Sequence, residues 1–95
     1  MTFRSYGHKP WGHYLNIFDA PYTKVKEILI KPGEAPSYQY HHKRSEIWVI
    51  VKGTAEVKLD GEVKTYGQGD VIHIPVKSKH QAKNVGDDDL VFIEV

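Results

Sequence analysis

Apolar and polar residues alternate along most of the chain, in short runs broken by turn residues every eight to twelve positions. That rhythm predicts an all-β domain. In TAEVKLD, Ala55, Val57 and Leu59 fall on one face and Glu56 and Lys58 on the other, the period a half-buried antiparallel strand needs. Asp60-Gly61 follows at once, and this dipeptide between alternating runs predicts a tight hairpin. The same reasoning predicts strands over Gly12–Phe18, Lys24–Lys31, Ser37–His41, Glu46–Lys52, Thr54–Asp60, Glu62–Tyr66, Val71–Ile74, His80–Val85 and Leu90–Val95. KPGE, YGQGD and NVGDDD read as further turns, with Asp87–Asp89 as a solvated loop tip. No window carries a helical period, and no repeat, linker or low-complexity segment interrupts the pattern. Nine short strands in 95 residues imply one domain over residues 1–95, built as a sandwich or a barrel.

Composition narrows the function. Hydrophobic residues make up 40% of the chain, enough for a packed core. A net charge of +1 lacks the basic footprint of a nucleic-acid binder. The longest apolar run, IWVIV, is too short to cross a bilayer. MTFRSYGHKPWG lacks the apolar core of a signal peptide. Neither nucleic acid nor membrane is therefore expected as a partner. The absence of cysteine excludes disulfides and thiolate metal sites and fits a cytoplasmic setting. Six histidines in so short a chain direct attention to a metal held by imidazole and carboxylate.

The chemistry concentrates in SYQYHHKRSEIW, residues 37–48. Alternate residues of a strand share a face, so Gln39 and His41 point together and Glu46 points with Trp48 and Ile50. Pairing of those two strands would converge three donors. His80, opening a strand after the turn that holds Pro75, offers a fourth. Four such donors would hold one ion and leave positions open for water or substrate, as catalytic metal sites do. His42 faces away from His41. His73 stands either near the site or in the core. His8 and His13 read as structural, Trp11 and Trp48 as core residues with Trp48 bordering a cavity, and Asn84 as a partner for backbone groups near the last strand.

The spacing fits a two-part pattern. Gly33, Gln39, His41, Glu46 and Gly53 come first, then Gly69, Pro75, His80 and Asn84. This resembles the motifs G-x5-H-x-H-x4-E-x6-G and G-x5-P-x-G-x2-H-x3-N of the cupin superfamily, with Gln39 replacing the first His and Lys77 replacing a Gly. Within that superfamily, S-Y-Q-Y-H-H-K-R-S-E-I-W is similar to the S-L-Q-x-H-x-x-R-x-E-H-W of type II mannose-6-phosphate isomerases. KPWGHY at 9–14, YTKVKEILIKPGE and the final LVFIEV match the same family. The departures are Tyr38 for Leu, Ile47 for His, Lys9 for Arg and Gln81 for Arg.

The resemblance implies a double-stranded β-helix, or jelly roll. It implies Gln39, His41, Glu46 and His80 as ligands of one divalent ion (zinc, manganese, cobalt, nickel or iron) and Arg44 as a catalytic residue. It also implies a sugar phosphate as substrate, interconverted between mannose 6-phosphate and fructose 6-phosphate, and pairing as a homodimer. The family's domain is commonly fused to a nucleotidyltransferase, for which these residues leave no room. A metal ion suits aldose–ketose isomerisation because it polarises carbonyl and hydroxyl oxygens, while a base, which the sequence leaves unassigned, moves the proton. The planar fork of Arg44 suits a phosphate or a developing oxyanion, and Lys9, Lys43 and Lys79 are candidates for further positive charge. Two rival readings use the same residues. One is an iron-dependent dioxygenase. The other is a non-catalytic metal- or sugar-binding module, cued by Ile47 and Gln81 beside the ligands.

Overall fold

The computed structural model describes residues 5–95, and within them the chain is built from nine strands without a helix. They are β1 (Ser5–Lys9), β2 (Gly12–Ala20), β3 (Thr23–Ile30), β4 (Glu46–Lys52), β5 (Ala55–Leu59), β6 (Glu62–Tyr66), β7 (Val71–Ile74), β8 (His80–Asn84) and β9 (Leu90–Glu94). A six-stranded sheet runs in the order β1-β2-β3-β9-β4-β7, and a three-stranded sheet in the order β6-β5-β8. Every pairing is antiparallel. The chain changes sheet between β4 and β5, β6 and β7, β7 and β8, and β8 and β9, giving the expected two-sheet jelly roll.

Parity decides which side chains meet between the sheets. Ile28 and Ile30 of β3, Trp48 and Ile50 of β4, Ile72 and Ile74 of β7, and Leu90 and Phe92 of β9 face inward from the large sheet, and Ala55, Val57 and Ala82 from the small one. Each branched or aromatic side chain removed from water in this way contributes on the order of 1.5–3 kcal/mol. Four of these inward rows end in polar residues: Lys26 on β3, Glu46 on β4, Glu94 on β9 and His80 on β8. One end of the interior is therefore polar.

The Asp60-Gly61 hairpin forms as expected. Both residues have positive φ, 49° and 83°, and Leu59 pairs with Glu62 around them, the backbone signature of a two-residue primed turn. Gly12 is needed for a different reason. Its φ is 152°, and a Cβ there would collide with the Leu29 carbonyl oxygen across the β2–β3 pair.

Two expectations about strands are corrected. Ser37–His41 is not a strand; within it only Gln39 pairs, in a single bridge to His80 rather than to the strand of Glu46. Conversely, Ser5–Lys9 is a strand that the alternation did not reveal, pairing with β2 from Lys9↔Gly12 to Ser5↔Asn16. The segment KPWGHYLNIF joins its own sheet through β2 and β3. The remaining strands lie within two residues of expectation.

Candidate metal centre

Glu46 opens β4 facing inward, 4% exposed, and His80 opens β8 facing it, also 4% exposed. His41 reaches the same point from the irregular segment before β4. The backbone of that segment is held at Gln39 by reciprocal bonds with His80 (3.0 and 2.7 Å) and at the His41 carbonyl, which accepts from the Lys77 amide at 2.9 Å. Gln81 adds a tie, its Nε2 donating to the Pro36 carbonyl at 2.8 Å.

The donor atoms converge. His41 Nε2 lies 3.2 Å from Glu46 Oε2, and His80 Nε2 lies 3.9 Å from Glu46 Oε1. One donor atom from each of the three residues falls within 4.8 Å of the others. Two donors ~2.1 Å from one ion are separated by ~3.0 Å at a right angle and ~4.2 Å when opposite, so little adjustment brings all three around one ion. Hydrogen bonding fixes the tautomer of His80 suitably. His80 Nδ1 sits 3.0 Å from the Ser78 carbonyl, which only accepts, so Nδ1 carries the proton and Nε2 presents a lone pair. His41 Nε2 lies 3.1 Å from the Arg44 Nη2 donor as well as 3.2 Å from Glu46 Oε2, and a neutral His41 that accepts from Arg44 presents there the lone pair a metal needs. The residues present fit a divalent ion.

Around the donors stands a supporting shell. Trp48 Nε1 donates to Glu46 Oε1 at 3.0 Å, and Arg44 Nε donates to Oε2 at 3.2 Å. Burial alone would raise the Glu46 pKa, but hydrogen bonds with Glu94 and Trp48, and then the electrostatic influence of the neighbouring imidazoles when protonated, outweigh it, so the carboxylate form is favoured. Burial, and next the Arg44 charge, hold His41 below the ordinary imidazole range, favouring the neutral ligand form. Beside the cluster opens a cavity of about 220 Å³, bordered by Gln39, His41, Arg44, Trp48, His80 and Glu94.

All five residues singled out in the sequence thus meet at this end of the barrel. His41, Glu46 and His80 form the compact donor cluster, Gln39 borders the cavity beside His80, and Arg44 bonds two of the donors. Other expectations shift. His73 is exposed on the outer side of β7, opposite Ile47, and belongs neither to the site nor to the core. Ile47 faces outward too, so its departure from the family motif leaves the cavity untouched. His42 is exposed and stacks near Tyr40, 4.9 Å between ring centres. Lys79 lies over Tyr38 and Lys9 over Tyr14. Asn84 is fully buried and does bond backbone, donating to the Ile30 and Asp88 carbonyls and accepting from the Gly86 amide.

Glu94 is the residue that sequence reasoning missed. It borders the cavity, and its pKa is pushed up to about 8, by burial first, then by its hydrogen bond with Glu46 and that residue's charge. Its signal was present: in LVFIEV, Glu94 shares parity with the inward Leu90 and Phe92.

Comparison with known proteins bears on the family and the fold. The family described as mannose-6-phosphate isomerase C-terminal matches residues 1–95. Mannose-1-phosphate guanylyltransferase of Escherichia coli (strain K12) is 44% identical over 88 residues, 93% of this chain and 18% of that protein. Alginate biosynthesis protein AlgA of Pseudomonas putida is 40% identical over the same share of each chain. The chain thus spans less than a fifth of the length of these relatives. Among solved structures, capsular polysaccharide assembling protein CapF from Staphylococcus aureus superposes with a TM-score of 0.83 at 25% identity, over 96% of this chain and 29% of that one. KdgF from Halomonas superposes with a TM-score of 0.85 at 22% identity, over 95% and 83%, and a predicted oxalate decarboxylase from Thermotoga maritima with a TM-score of 0.77 at 20% identity, over 87% and 78%. These last two likenesses speak to the fold, which is the cupin jelly roll.

Proposed function

The chain belongs to the mannose-6-phosphate isomerase C-terminal family, and on that premise we propose that it is a metal-dependent sugar-phosphate isomerase domain, interconverting mannose 6-phosphate and fructose 6-phosphate. The observation that carries this reading is the His41–Glu46–His80 cluster, with Glu46 and His80 buried and His41 partly so, beside a cavity that Arg44 and Glu94 also border. Gln39 is proposed as the fourth donor from its place in that wall. A divalent ion held there would polarise the substrate's carbonyl and hydroxyl oxygens and stabilise the charge that develops on them.

The chain's own residues supply the rest. Trp48 and Arg44 hold both oxygens of Glu46 in place, and ligands fixed in this way need little reorganisation when substrate arrives. Arg44, half exposed beside the donors, is placed to reach an anionic oxygen of the substrate through its planar fork. Glu94 is the carboxyl in the cavity wall that stands outside the donor cluster, so it is the group positioned to carry a proton between adjacent carbons. We propose that the domain works as a homodimer. Among the described residues no helix is long and apolar enough to cross a membrane. A second reading draws on the relatives, which are named for guanylyltransfer or alginate biosynthesis: the domain binds a sugar phosphate without converting it.

The test is a coupled assay of aldose and ketose phosphates with protein loaded with zinc, manganese, cobalt or nickel. Wild type should interconvert them. Arg44→Ala should lower kcat/KM about a hundredfold, the loss expected for one charge-assisted contact of ~3 kcal/mol, and Arg44→Lys should recover little of it. His80→Ala should lose the metal, whereas His42→Ala should retain it. No interconversion with any of these metals would overturn the isomerase reading and leave the binding reading, measured by sugar-phosphate affinity.

A further inference from the structure

A second cavity of about 360 Å³ adjoins the first and shares Lys26, Arg44 and Glu94 with it. It lies where the β2–β3 turn, the segment before β4 and the end of β9 come together. Lys24, Lys26, Lys43 and Arg44 border it, against the carboxyls of Glu46 and Glu94. Those carboxyls are engaged with each other, and Glu46 is bonded to Arg44 and Trp48 as well. Lys24, Lys26 and Lys43, by contrast, form no ion pair among the described residues.

The strand pattern shows how the charges come to be there. The inward row of β3 reads Ile30 and Ile28, both buried, then Lys26, half-buried, then Lys24, exposed. The row that builds the core thus turns cationic as it reaches the open end. Lys43 arrives at the same place from the loop that carries the ligand segment. A concave site bordered by four cationic side chains against two carboxyls raises the local concentration of anions and holds them by charge-assisted bonds.

We propose that this second cavity is the phosphate subsite of the sugar-phosphate site, with Lys24 and Lys43 recognising the phosphate and Lys26 standing between the two chambers. The ligand class rests on the sugar-phosphate reading above; the location rests on the charges of the cavity. The reacting carbons and the phosphate occupy opposite ends of a hexose 6-phosphate, and the two chambers match those ends. The first offers His41, His80 and Gln39 on the donor side, for hydroxyl and carbonyl oxygens, and the second offers ammonium groups for a dianion, with the Glu46 carboxylate at its wall.

The deciding experiment compares wild type with the double variant Lys24→Gln/Lys43→Gln. Both side chains are exposed, so the fold should survive their neutralisation. Calorimetric titration with mannose 6-phosphate, inorganic phosphate and mannose separates the phosphate's contribution from that of the sugar. Wild type should prefer mannose 6-phosphate over mannose, and the preference should weaken as salt screens the ammonium groups. The double variant should bind mannose 6-phosphate and inorganic phosphate about tenfold or more less tightly, with mannose affinity and metal content unchanged. Equal phosphate affinity in wild type and variant would overturn the proposal, as would a wild type that binds no phosphate. The isomerase reading fails separately. Turnover with a KM unmoved by the double variant would sink the subsite alone, and phosphate binding through Lys24 and Lys43 without turnover would sink the isomerase alone.

Discussion

Glu94 and Glu46 place two carboxyls side by side in the polar end of the barrel, one hydrogen-bonded to the other. With the Glu94 pKa raised from 4.5 to about 8, the folded protein keeps a proton there that the unfolded chain releases near 4.5. Its contribution to stability is full below pH 4.5, falls as pH rises and is gone above about 8. His41 works in the opposite sense. Its folded pKa lies below 6.5, so its contribution is present above that pH and lost below it. Between pH 6.5 and about 8 the Glu94 effect therefore stands clear of the His41 effect. Metal-free protein, kept in chelator, should show a melting temperature that declines from pH 6.5 to pH 8. Glu94→Gln, which cannot ionise, should flatten that decline. An unchanged slope in the variant would refute this account of the pair. Glu94 was legible in the sequence only through parity, because an acid near the end of an apolar run reads as a solvated strand end until its partner strands are known. The distant His80 was legible because the motif spacing did not depend on knowing which strands pair.

Among the elements, the strands bounded by turn residues were readable from sequence: β4 stops before Gly53, β6 lies between Gly61 and Gly67, β7 between Asp70 and Pro75, and all three occupy their expected residues. Ser5–Lys9 was not readable. SYGHK has no apolar row, is largely exposed and is held by backbone pairing to β2. Ser37–His41 failed for the opposite reason: its residues alternate, but a tertiary bridge to His80 and the Lys77–His41 bond hold it as an irregular lip over the cavity. The turn that supplies that bond carries its own strain. Lys77 has φ 65°, left-handed backbone that costs a side chain with a Cβ about 1 kcal/mol, and it stands where the family motif has Gly. Lys77→Gly keeps the amide that bonds His41 and should stabilise the protein by about 0.5 kcal/mol, once the added freedom of the unfolded chain is deducted. In thermal denaturation that is a rise of about 2–4 °C. A fall in melting temperature would show that the Lys77 side chain contributes something the backbone argument omits.

At the scale of the whole molecule, the large sheet has two unlike faces. The inner one closes the core. On the outer one, Ile47, Val51 and Val71 are 43%, 47% and 61% exposed. Cross-strand pairing continues this apolar row through Val49, Ile93, Val91 and Leu29, all half-buried. It ends at β7, an edge strand whose free backbone groups face outward. The small sheet covers the inner face, and among the described residues no strand covers this one. Contiguous apolar surface of this kind marks an interface on a small domain, and a stable dimer asks about 800 Å² of each partner, a modest share of a 5966 Å² surface. A second copy of the same face is self-complementary in an isologous pair, since it presents branched apolar side chains to their like, with Glu27 and Lys52 beside Ile93 and Val91 as the charged positions such a pair must accommodate. The protein should therefore sediment as a dimer at micromolar concentration. Val71→Glu, which adds a charge at the most exposed point of the row, should shift it toward monomer while sparing the candidate metal site on the other side of the sheet. A wild type that scatters light as a monomer at that concentration would reject the homodimer. A dimer unaffected by Val71→Glu would place the interface on another surface.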